Sequence, residues 1–182
     1  MDAAVWLAHE RLAGSGGVVR VVLDDDKQAI PRPLDGNLLL LGGPAKNPVT
    51  ADILASGALP DLSIQPDAVE LGPCRFEGPG LALLALGPRG AEGLFALLAG
   101  DAQAGLAVPG VLRRLLLVLG TLSEKNYWQS TSPDYLLLGT KGGVLAAGFW
   151  GGSTGWEFAE RQSFIARGKC RPRKQPSVRV DL

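Results

Sequence analysis

Histidine is the side chain that most often moves protons near neutral pH, and this chain of 182 residues contains one, His9. It lies beside Glu10 on the polar side of a segment with helical periodicity. A serine nucleophile would have to use it, yet no Gly-x-Ser-x-Gly elbow occurs anywhere. Ser153, in Gly-Gly-Ser-Thr, falls in a loop-like stretch instead of a strand-to-helix turn. A free-standing hydrolase built on His9 is therefore the weakest reading, and His9 reads as a surface residue. Metal ligation fails on counting, with one histidine and two distant cysteines, Cys74 and Cys170. Asp24, Asp25 and Asp26 carry the charge for a divalent cation, but no second ligand set is near in sequence, so a solvated acidic loop is the simpler account. Cys74 has no paired histidine and reads as a buried structural thiol. The two cysteines could form one disulfide in an oxidising compartment. Because Cys170 lies in a tail-like stretch, two free thiols are expected. No catalytic residue, no metal site and no cofactor follow from these residues.

What remains is a glycine corner. In Gly36–Ala55, GNLLLLGGPAKNPVTADILA, four leucines (Leu38–Leu41) are closed by Asn37 and Gly42. A run this short between turn residues reads as a strand buried on both faces. Pro44 takes the chain out of the sheet, and Asn47-Pro48 reads as a helix cap with proline in the first turn. Val49, Ile53 and Leu54 form an apolar stripe at helical spacing, and Gly57 can close the helix. Backbone N–H groups at such a corner can hold a ligand. GGPAKN is neither a dinucleotide fingerprint nor a P-loop, and a purely structural corner is the competing account. Gly100 and Asp101 stand at a second strand end, where layered folds place ligands and where Asp101 could equally be a helix cap. The candidate ligand-binding residues are Gly42, Gly43, Asn47, Gly100 and Asp101.

The elements that would position these residues follow from patterning. Apolar residues at Ala4, Val5, Ala8 and Leu12 predict a helix, and Val18–Leu23 a strand. Gly72-Pro73 predicts a hairpin between Ala68–Leu71 and Cys74–Phe76. Leu81–Leu86 and Gly93–Leu98 read as a second hairpin, Ala102–Ala107 and Val111–Leu119 as helix, and Tyr135–Leu138 and Val144–Phe149 as the last strands. Strands alternating with helices predict an α/β fold: one layered domain with a mixed, largely parallel central sheet flanked by helices, Rossmann- or flavodoxin-like. Tyr127, Trp128, Tyr135, Phe149, Trp150, Trp156 and Phe158 form an aromatic cluster that either closes the core or offers a binding platform. Eighteen acidic and eighteen basic residues cancel, which argues against a nucleic-acid role for the body. From Glu157 onward seven basic side chains face three acidic ones, so residues 159–182 are expected to be a basic, disordered tail following a domain of residues 1–158. No apolar run is long enough to span a membrane, and the first residues lack the basic start of a signal peptide.

Four segments in order, NLLLLGGPAKNPVT, LGPCRFEGPGLALLALGPR, LFALLAGDAQAGL and DYLLLGTKGGVLAAGFW followed by WEF, resemble the C-terminal region of large secreted proteins related to prolyl-oligopeptidase-like serine esterases and peptidases. The first segment alone also looks like glycine corners in cell-surface-layer proteins. The chain departs from the pattern at Ala99-Gly100-Asp101, which lacks a threonine, and at Trp150-Gly151-Gly152, where the family continues to an acidic residue. The hydrolase's elbow serine and histidine have no counterpart, so no catalytic residue is carried over. The resemblance implies a non-catalytic α/β accessory domain that packs on a hydrolase domain or another protein partner and shapes access to it. It implies an extracellular location if the chain belongs to a longer secreted protein, and a cytoplasmic one otherwise. The alternative is a small-molecule-binding α/β domain with its site at the strand carboxyl ends.

Overall fold

The four leucines do form a strand, β1 (Leu38–Leu41), and the glycine corner does lead into a helix, α1 (Pro48–Ala55). The computed structural model describes residues 4, 21–22, 37–89, 93–100 and 133–173. After α1 come three short strands, β2 (Leu62–Gln65), β3 (Ala68–Leu71) and β4 (Cys74–Glu77), joined by tight turns. β3 and β4 pair antiparallel across Gly72-Pro73, where Gly72 takes the left-handed conformation, φ 54°, that such a turn needs. Then follow β5 (Ala82–Pro88), β6 (Leu94–Gly100), β7 (Tyr135–Leu138), β8 (Val144–Gly151), β9 (Glu157–Ile165) and β10 (Arg171–Pro172).

These strands build two sheets. The larger has the order β1-β6-β5-β7-β8-β9, the smaller β10-β4-β3-β2. The central strands are buried on both faces, β7 at every position and β5 over its first four, and one face of each sheet meets the other between the sheets. Leu40, Leu83, Phe95, Leu97, Tyr135, Leu137 and Trp150 come from one side, and Leu62, Val69, Leu71 and Phe76 from the other. Each of these large side chains stabilises the fold by about 1.5–3 kcal/mol through burial. Val49, Ile53 and Leu54 of α1 pack on the margin of this core.

The architecture differs from the expected helix-flanked, largely parallel layer. Of the described residues 51% are strand and 11% helix, and the sheets are mainly antiparallel. The β1–corner–α1 sequence mimics the start of a parallel crossover. However, α1 has only eight residues, and a crossover that returns to a parallel neighbour takes a dozen or more. The chain leaves α1 for the second sheet instead. β1 does gain a parallel partner, β6, with Leu38 opposite Phe95 and Leu41 opposite Leu98. That partner arrives only after β5, to which β6 is hairpin-paired. The α/β, Rossmann-like reading falls with the fold, and nothing in it supports association with a hydrolase. The expected segments at 3–13, 18–23 and 102–119 lie wholly or almost wholly outside the described residues.

The stretch expected to be a tail is also structured as far as it is described, to residue 173. β9 runs through the boundary expected at residue 158, because Phe158 and Ile165 pack on the core while Glu160, Arg161 and Gln162 stay exposed. β10 then adds to β4, with Pro172 opposite Cys74. That pairing brings the cysteines together, and Cys74 and Cys170 form a disulfide instead of the two free thiols expected.

Candidate functional site

The corner after β1 is held by its own side chains. Asn47 Oδ1 accepts the Thr50 N–H at 3.0 Å, which caps α1, and Asn47 Nδ2 donates to the Leu41 carbonyl at 3.1 Å. Thr50, fully buried, donates its hydroxyl to the Gly42 carbonyl at 3.1 Å. The Gly42 N–H donates to Leu98 O across the parallel pair, and Gly42 itself has φ 104°, a conformation that favours glycine. The side chains of Asn47 and Thr50 are thereby both engaged in holding the corner.

Because β1 and β6 are parallel, their carboxyl ends lie together, and the start of β5 lies there too. The β2–β3 turn approaches the same place from the smaller sheet. Between them is a cleft of 410 Å³. Gly42, Gly43 and Gly100 line it, Val69, Leu81, Leu83 and Ala99 give it an apolar floor, and Lys46, Gln65 and Asp67 stand on its exposed rim. Glycine at position 43 keeps the gap open. A Cβ there would stand 3.3 Å from Ile64 Cγ2 and 3.9 Å from the Ala99 Cβ. Of the five candidate residues the structure thus brings three glycines to one cleft and places Asn47 behind the corner. Asp101 lies outside the described residues, as do His9 and Asp24–Asp26.

Other residues with chemical potential have structural work. Ser153 donates to Glu157 Oε1 at 3.0 Å, and this bond, ahead of those from Thr154, holds the Glu157 carboxyl below the ordinary carboxylate range. Both groups close the exposed β8–β9 turn. Tyr135, Trp150 and Phe158 pack as a ring cluster, with centroid separations of 4.6 Å and 6.3 Å, so these three rings close the core while Phe149 is exposed. The Tyr135 hydroxyl donates to Ser163, and Trp150 Nε1 donates to Leu86 O at 2.8 Å. Burial raises the Tyr135 pKa, against the opposing bond to Ser163. Among the described residues no group of three His, Cys, Asp or Glu side chains is placed to hold a metal ion. No helix of the described residues is long and apolar enough to cross a membrane.

The second wall of the cleft was missed in the sequence, where no element was assigned between Gly57 and Ala68. The signal was present in Leu62-Ser63-Ile64-Gln65, which alternates apolar and polar at the period of a half-buried strand before Pro66-Asp67 turns the chain. No family model, curated protein or solved structure matches this chain.

Proposed function

We propose that this chain is a non-catalytic binding module that takes a small ligand with an apolar body in the cleft at the carboxyl ends of β1 and β6. The observation that carries the reading is the cleft itself: 410 Å³ between the two sheets, with buried apolar side chains beneath and one cation and one anion, Lys46 and Asp67, on the rim. Ligand sites in proteins are commonly concave and apolar with a few polar groups at the edge. Burying an apolar ligand surface there would supply the affinity, and the rim charges would set its orientation.

The test uses Gly43→Val. No left-handed backbone conformation is required at residue 43, so backbone strain does not oppose a side chain there; Ile64 must give by a few tenths of an ångström to admit the Cβ, and the valine branches fill the space beside Ile64 and Ala99. With anilinonaphthalene sulfonate as the probe, the parent chain should bind in a saturable way. Gly43→Val should weaken binding by roughly tenfold or more, equivalent to about 1.4 kcal/mol, with the circular dichroism spectrum unchanged. A folded variant that binds the dye as well as the parent removes the proposal.

A second reading rests on Val144, Phe149 and Phe164, which are 44%, 38% and 56% exposed on the last two long strands. Exposed apolar groups at a sheet margin suit contact with another protein, and they support an accessory role beside a protein partner.

A further inference from the structure

β10 is a strand of two residues, Arg171 and Pro172, opposite Arg75 and Cys74 of β4. Proline has no N–H to give to the ladder. The Arg173 N–H adds one bond to Pro73 O at 2.9 Å. Two ion pairs flank the strand, Arg171–Glu77 at 2.5 Å and Arg173–Glu70 at 3.0 Å. The Arg171 side chain is 74% exposed, so water and salt screen its pair with Glu77; Glu70 is only 13% exposed, but it keeps its bond to Arg75 if the 40% exposed Arg173 leaves. Against these contacts stands the conformational entropy of ordering residues 167–173. The remaining attachment is the Cys74–Cys170 bond. Its two ends differ: Cys74 is buried in the core and Cys170 is only partly covered. β4 does not rely on β10 for its place. It pairs with β3 over four positions and buries Phe76 between the sheets.

We propose that residues 167–173 form a redox-operated flap, which lies on the free edge of β4 while Cys74 and Cys170 are joined and leaves that edge when they are reduced. The reductant is a dithiol. Its thiolate attacks Cys170 Sγ, the accessible sulfur, forming a mixed disulfide and expelling the Cys74 thiolate, which takes up a proton. The second thiol of the reductant then displaces Cys170 as a thiolate, which is protonated in turn. Two electrons and two protons pass to the protein, and the dithiol leaves as its own disulfide. Departure of the flap uncovers the backbone of β4 along one side and removes Arg171 and Arg173 from Glu77 and Glu70. Arg75, which bonds both carboxylates at 2.7 Å, then faces the two of them alone. The uncovered edge is a row of unpaired backbone groups of the kind that accepts another strand. The flap does not depend on the ligand cleft, and the two proposals can fail separately.

Hydrogen exchange of the whole chain, read by mass spectrometry before and after treatment with dithiothreitol, tests the flap. Exchange in residues 74–77 and 167–173 should speed up by roughly tenfold or more on reduction, while β5 and β6 keep their protection. Cys170→Ser, which leaves Cys74 buried as a thiol, should show the same two segments opened without any reductant. Unchanged exchange in residues 167–173 in both the reduced and the substituted protein would overturn the proposal. Loss of protection through β5 and β6 in the same step would also overturn it, because the bond would then hold the whole fold and not the flap.

Discussion

Asn47 shows how much one side chain can be asked to do. It caps α1 through its oxygen and closes β1 through its nitrogen, in a corner where the fully buried Thr50 depends on the same geometry. Asn47→Ala removes both bonds and leaves the Leu41 carbonyl without this donor. The expected cost is about 1–2 kcal/mol, to be read as a lowered urea midpoint at unchanged slope. Asn47→Asp keeps the acceptor and loses the donor, so it should fall between the parent and the alanine variant. The residue-level reading of this corner came through from sequence because every signal is local: turn residues, a cap and a proline in the first turn. The ligand question did not come through the same way. Asn47 was a candidate for binding, and the structure shows its two polar atoms engaged by Leu41 and Thr50.

At the scale of elements, tight cross-strand fits set tolerances. Gly87 on β5 lies opposite Phe95 on β6, and a Cβ at 87 would run into the Phe95 ring, which is buried at 1% exposure. Gly87→Ala should therefore destabilise the sheet by about 1–3 kcal/mol, measurable as a drop in the thermal midpoint. The hairpins β3–β4 and β5–β6 were legible, since Gly72-Pro73 and Gly87–Gly90 punctuate apolar runs. The sheet they belong to was not. Four leucines before a helix look the same whether the next strand lies parallel beside them or in another layer, and only the length of α1 argued for the second. The disulfide was hidden for a related reason. Residues around Cys170 are rich in arginine and lysine, and their composition does not show that Pro172 pairs opposite Cys74.

The described residues form two sheets tied together where the chain passes from α1 to β2, from β4 to β5 and from β9 in the larger sheet to β10 in the smaller. Asp61 reinforces the tie by accepting the Phe158 N–H at 2.8 Å, across from the smaller sheet. Its charged groups give stability a pH dependence whose sign follows from the shifts. The Glu77 carboxyl is held low, first by the hydrogen bond from Arg75, and the Glu157 carboxyl first by Ser153. Their contribution is present above the ordinary carboxylate range and is lost as pH falls through the lowered values. Tyr135 is shifted the other way, so its contribution is full below the ordinary tyrosine pKa and is lost as pH rises through the raised value. The urea midpoint should be flat near neutrality and decline at both ends. Tyr135→Phe should flatten the alkaline decline and leave the acidic one, at a cost near neutrality of about 1 kcal/mol for the bond to Ser163.

The parallel seating of β1 on β6 also bears on how a growing chain can reach this form. Asn37 accepts the Leu94 N–H from 57 positions further on. A ribosome releasing the polypeptide from its amino end delivers the leucine ribbon long before its neighbour exists. Until that neighbour emerges, four consecutive leucines have no seat, and whatever shields them in the interval decides how much of the nascent protein reaches the native sheet.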